Sequence, residues 1–198
     1  SLLSLDPAIA DPVLERLCQS SPCEPEFINA LAERNPARYA DQLADIKKLG
    51  IIVVQNPAHL AIPPVMHARW GSARLAKVDL LKSLLDSGVT LAIGSDGPIE
   101  PGINIMLATL HPNVPSEALT REQAVVAYTR TAAFAAFAEK ERGMIAPGLL
   151  ADIAVLSQDL FTVTPDKLPA TMSILTMLGG QIVHDQRGTT SGAAAPNA

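Results

Sequence analysis

Apolar residues recur along the chain at two spacings, and the change between them marks out its elements. From Pro36 to Leu49 the apolar positions Tyr39, Leu43, Ile46 and Leu49 follow helical spacing, and Gly50 stops the pattern. Ile51-Ile52-Val53-Val54-Gln55 is a continuous β-branched run, which fits a strand buried on both faces as in a parallel sheet. Leu75, Val78, Leu81, Leu84 and Leu85 then make one helical stripe between Arg74 and Ser87, closed by Gly88. Val89 to Ile93 reads as a second buried strand, and Gly94-Ser95-Asp96-Gly97-Pro98 as the turn after it. A helical stretch precedes His111, and Thr120 with Gln123 forms a capping box that opens an Ala-rich helix predicted to reach about Lys140 and to end at Gly143. The order helix, strand, helix, strand, helix predicts a parallel α/β arrangement. Two strands are too few to bury both faces of each, so further strands are expected from elsewhere.

The pattern then changes. Pro147-Gly148 is a turn and Asp152 to Leu156 a short strand. Ser173–Leu178 and Gln181–His184 read as two strands joined by Gly179-Gly180, a type I′ hairpin signal. The residues after Asp185 are small and polar and predict a disordered tail. At the other end, Asp11-Pro12, Glu24-Pro25 and Asn35-Pro36 are helix-start signals, so residues 1–35 read as mainly helical without further assignment.

Composition narrows the function. Apolar residues make up 48% of the 198 and aromatics only 4%, so Ala, Leu, Ile and Val must fill the core. A net charge of −5 without any basic block argues against nucleic-acid binding. No apolar run approaches the roughly 20 residues needed to span a bilayer. The start lacks both a basic signal region and an initiator Met, so the sequence reads as processed or cut from something longer. Cys18 and Cys23 do not form C-x-x-C; they read as two inert thiols of a cytoplasmic protein, with a disulfide across that short loop as the alternative.

Asp96 is the first candidate for chemistry. It lies just past the end of a buried strand, where active sites form in barrel enzymes, and Gly94 and Gly97 beside it permit close backbone approach. A carboxylate there can ligate a metal or take a proton from metal-bound water; equally, it can cap the next helix. His59 lies four residues past the first strand, on the same side as Asp96 if the strands are parallel neighbours. It reads as a metal- or substrate-binding residue, or as a loop histidine with no special role. His67, His111 and His184 read as loop, structural or surface residues. G-x-S-x-G, a glycine-rich phosphate loop, H-x-H and H-E-x-x-H are all absent.

Several segments resemble one family. Gly50 to His59, Trp70-Gly71 with Arg74, and Leu84 to Asp96 resemble the end of the barrel in metal-dependent amidohydrolases of the branch related to N-substituted formamide deformylase. Leu119-Thr120-Arg121-Glu122-Gln123-Ala124 and Ala127-Tyr128-Thr129 are similar to that family's helix after the barrel. Gly143-Met144-Ile145-Ala146-Pro147-Gly148 with Ala151-Asp152-Ile153-Ala154-Val155-Leu156 is the most specific stretch and resembles the start of its small β-sandwich; Thr176 with Gly179 to Val183 resembles that domain's last hairpin.

The resemblance implies an α/β fold: the C-terminal part of a (β/α)8 TIM-type barrel over residues 36–142, part of a small antiparallel β-sandwich over 143–186, and a tail over 187–198. It further implies a hydrolase of C–N bonds other than peptide bonds. One or two divalent metal ions, commonly zinc, would activate water, with Asp96 as metal ligand and proton shuttle and His59 lining the substrate side. The family's H-x-H after strand one, its strand-four ligand and its histidines after strands five and six have no counterpart here. The expected partners are therefore a small-molecule substrate and the N-terminal part of the same enzyme or a second chain. Without that missing half the chain is expected to be inactive. The alternative is a non-catalytic remnant, or a module that pairs with a partner through an exposed sheet edge.

Overall fold

The computed structural model describes residues 43–61, 79–96 and 100–187. The helix-start signals before residue 36, Cys18 and Cys23, the Trp70 loop with His67, Gly97-Pro98 and the tail beyond Arg187 lie outside the described residues. Residues 43–48 are helical (α1) and Gly50 turns the chain out of them. Then follow β1 (Ile52–Gln55), a 3-10 turn (Pro57–Ala61), α2 (Leu81–Asp86), β2 (Thr90–Ile93) and α3 (Pro101–Leu110). A 3-10 turn (Pro115–Glu117), α4 (Arg121–Tyr128) and α5 (Arg130–Ala135) lead to β3 (Ile153–Leu156), a third 3-10 turn (Pro165–Ala170), β4 (Ser173–Leu178) and β5 (Gln181–Asp185).

The fold is mixed α/β. β1 and β2 pair in parallel, Ile52 opposite Thr90 and Gln55 opposite Ile93. β3, β4 and β5 form a separate antiparallel sheet in that order. Gly179 (φ 54°) and Gly180 (φ 84°) join β4 to β5, both left-handed as a type I′ turn requires.

Leu91 and Ile93 of β2 are buried in one cluster with Leu81, Leu84, Ile105, Ala108, Ala124 and Ala127, and Ala92 between them is buried as well. Ala124 and Ala127 give α4 a flat face that lies close on the sheet, so small residues replace the missing aromatics. Leu81 and Leu91, each almost fully buried, contribute about 1.5–3 kcal/mol apiece. The start of α2 is held from outside: Glu117 is buried and accepts from the Ser83 amide (2.8 Å) and the Ser83 hydroxyl (2.5 Å). A carboxylate at a helix N-terminus also meets the positive end of the helix dipole.

Three expectations need correction. β1 is not buried on both faces, because Val54 stays exposed. A β-branched run reports strand preference, whereas burial depends on what covers the second face. The Ala-rich helix is two helices, not one. Thr129 separates them (φ −118°, ψ −80°), and its hydroxyl donates to the Val125 carbonyl, competing with the helical backbone. Helical structure ends at Ala135, so Gly143 (φ 101°) belongs to the irregular segment that follows.

Candidate functional site

Parallel pairing points the C-terminal ends of β1 and β2 the same way. The amide of Gly94 donates to the Gln55 carbonyl at 2.9 Å, so the two chains leave the sheet side by side. The 3-10 turn after β1 carries His59, fixed by the buried neighbours Pro57 and Leu60 and by its own amide, which donates to Asn56 at 2.9 Å. The bend after β2 carries Asp96 in a left-handed conformation (φ 40°). A Cβ at Gly94 would sit 2.6 Å from Asn56 Oδ1, so a larger residue there would have to push the Asn56 side chain aside.

The result is one pair: His59 Nε2 lies 3.2 Å from Asp96 Oδ2. The His59 side chain is 33% exposed and Asp96 71%, so both can reach a solute. The structure thus brings together the two residues singled out in the sequence. It places the other described histidines elsewhere. His184 is exposed on β5. His111 is fully buried at the left-handed C-cap of α3, where Nε2 donates to the Asp79 carbonyl (2.8 Å) and Nδ1 accepts from the Val114 amide (3.1 Å). Both ring nitrogens are used, so His111 is a structural residue.

Two further residues belong to this region. Asp79 is buried, holds φ 54° and has Oδ2 without a hydrogen-bond partner among the described residues. Burial pushes its carboxyl up to about 6, and the electrostatic interaction with His59 and then His111 partly offsets that rise. Its only sequence position is inside a helical stripe, which gives no signal of burial. Asn104 is fully buried on α3 and accepts from the Ala58 amide at 3.0 Å. A polar residue within Ile103-Asn104-Ile105-Met106-Leu107 was a readable signal.

As a metal site, the pair is chemically suitable but short of ligands. Imidazole nitrogen and carboxylate oxygen are both zinc donors, yet a hydrolytic zinc takes three protein ligands. Among the described residues no group of three or more His, Cys, Asp or Glu converges to hold an ion.

The parallel strand pair, the antiparallel sheet beyond it and the two exit segments point to one class, and sequence comparison identifies it. The pattern of the amidohydrolase family matches residues 30–184, so this chain belongs to that family. Among its relatives is YtcJ of Bacillus subtilis (strain 168), whose name places it with the amidohydrolases; it is 36% identical over 130 residues, covering 60% of this chain and 25% of that protein. LONG AFTER FAR-RED 3 of Arabidopsis thaliana is 33% identical over 149 residues, covering 69% of this chain and 25% of its own length. The chain spans about a quarter of the length of these curated relatives. An uncharacterized metal-dependent hydrolase of Pyrococcus horikoshii OT3 has a similar structure, with a TM-score of 0.56 and 25% identity over 64% of this chain and 28% of that one. Among the described residues no helix is long and apolar enough to cross a membrane.

Proposed function

We propose that this chain is the C-terminal part of a metal-dependent hydrolase acting on C–N bonds other than peptide bonds. In this reading β1 and β2 are the last two strands of a (β/α)8 barrel, and β3–β5 are part of its small β-sandwich. The observation that carries it is the His59–Asp96 pair, 3.2 Å apart at the C-terminal ends of adjacent parallel strands. Catalytic groups gather at that end of barrel folds. Family membership and the Pyrococcus hydrolase support the reaction class and the need for a divalent metal.

The residues present divide the work as follows. Asp96 would be a ligand of the metal and would hold a proton on its carboxylate between water and the leaving amine. His59 orients that carboxylate through Nε2 and lines the substrate side. The bound metal, zinc by donor chemistry, would supply acidity to water. The remaining ligands must come from polypeptide outside the described residues, which makes the N-terminal part of the same enzyme, or a second chain, the expected partner. Exposed Ile51, just before β1, and Val54 on it support association of that kind.

The test is made in the complete enzyme. Asp96→Asn is expected to lower kcat by about 10²–10⁴-fold and to reduce bound zinc, while His59→Ala mainly raises KM. Both side chains are partly exposed, so neither change should move folding stability by more than about 0.5 kcal/mol. Full zinc content and unchanged hydrolysis in Asp96→Asn would overturn the proposal.

A further inference from the structure

Asn104 joins the turn that carries His59 to α3. It is fully buried. Its Oδ1 accepts from the Ala58 amide at 3.0 Å, immediately before His59. Its Nδ2 donates to the Glu100 carbonyl at 3.3 Å, four residues beyond Asp96. One side-chain amide therefore ties the turn that carries His59 to the start of the helix that follows Asp96. α3 also lies directly against that turn. The Ala58 amide needs this acceptor, because a buried amide away from water needs a partner, whereas the Glu100 carbonyl also accepts from the Ile103 (3.1 Å) and Asn104 (3.2 Å) amides. An apolar residue of the same size would fill the space and leave the Ala58 amide without its acceptor. An aspartate would keep the acceptor for Ala58 and lose the donor for Glu100.

We propose that Asn104 is a positioning residue for the His59–Asp96 pair: it fixes the turn that carries His59 against α3, so that the imidazole is held where it meets the carboxylate. This inference rests on the pairing described under the proposed function. It adds a residue that touches neither substrate nor metal and acts through the backbone of the turn before His59.

The experiment uses the 198-residue chain and reads the His59 ring resonances by NMR. In the parent, Asp96→Asn should shift those resonances, which measures the contact directly. In an Asn104→Leu background the same shift should fall by half or more, and the Ala58 amide should exchange about tenfold faster, the loss expected for one hydrogen bond. Asn104→Asp is the second variant. It should keep Ala58 protected and keep most of the response of His59 to Asp96→Asn, because it retains the acceptor for Ala58 and backbone amides still serve the Glu100 carbonyl. A merely structural asparagine would lower stability without changing that response. A folded Asn104→Leu variant with the full response overturns the positioning role. Failure of both variants to fold also overturns it, leaving Asn104 a core residue alone. If Asp96→Asn leaves His59 unmoved in the parent, the pairing itself fails. That result sinks the proposed function and this inference together, and Ala58 protection separates it from failure of the Asn104 contact.

Discussion

β2 and β5 are short strands of similar length, each with two large aliphatic residues, yet Leu91, Ala92 and Ile93 are buried while every residue of β5 is exposed. The difference lies in what covers them. β2 pairs with β1 and is packed by α2, α4 and α5. β5 is the edge of the antiparallel sheet, placed by its hairpin to β4 rather than by burial. Chemistry follows the same division. His59 and Asp96 leave the sheet that has the core beneath it. A pair of side chains can be held at a fixed separation only where the supporting backbone is itself held by packing.

The comparison predicts unequal responses to the same truncation. Leu81→Ala removes a side chain with 0% exposure at the centre of the core and should cost about 2–5 kcal/mol. Ile182→Ala on β5, 53% exposed, should cost under about 1 kcal/mol. Urea unfolding of the two variants measures this. Equal losses would mean that β5 is buried in solution as deeply as β2, and the contrast would collapse.

Asp79 gives the next largest effect, confined to the parallel half. Its folded carboxyl sits at about 6 against an ordinary 3.8. The folded state therefore keeps its proton where the unfolded chain has already lost one. Stability from this group is full below pH 3.8, falls as pH rises from there to about 6, and stays low above that. The total is on the order of 2–3 kcal/mol at 1.36 kcal/mol per unit. Asp79→Asn removes the charge and should flatten this decline, leaving the variant more stable than the parent at pH 8. Denaturation midpoints between pH 4 and 8 check it, and a parent whose stability does not fall over that range contradicts the burial of Asp79.

Periodic and capped elements were legible from the sequence. The Gly179-Gly180 hairpin and the Thr120–Gln123 capping box are each set by residues within a few positions of one another, and each is present. The strands β1 and β2 are local runs too, although their parallel pairing joins Ile52 to the distant Thr90. His59 was legible on the same side as Asp96 only on the condition that the two strands are parallel neighbours, which they are. The rest depends on distance in space. The Glu117 cap on α2 joins residues 34 apart, and the Asn104 contact with Ala58 joins residues 46 apart. Nothing local announces them. The break at Thr129 was missed because Ala-rich helical propensity outweighed one hydroxyl in the reading, while in the fold that hydroxyl competes for the backbone carbonyl.

Gly102 tests whether the two halves are joined or merely adjacent. It lies in the first turn of α3, against the buried Leu168 in the 3-10 turn between β3 and β4. Arg121 on α4 adds to that seam by donating to the Leu160 and Val163 carbonyls. In an ordinary helix Gly→Ala gains about 1 kcal/mol. Here the new Cβ would sit 2.2 Å from the Leu168 backbone oxygen, which is backbone and cannot swing aside. Gly102→Ala should therefore reverse the usual sign and cost about 1–3 kcal/mol. Amide exchange locates the loss: protection in β4 should fall further than protection in β2, because the antiparallel half has less core of its own to hold it. A gain in stability would show that the seam yields without penalty. The two halves would then be independent units, and the order of the site would owe nothing to the sheet beyond it.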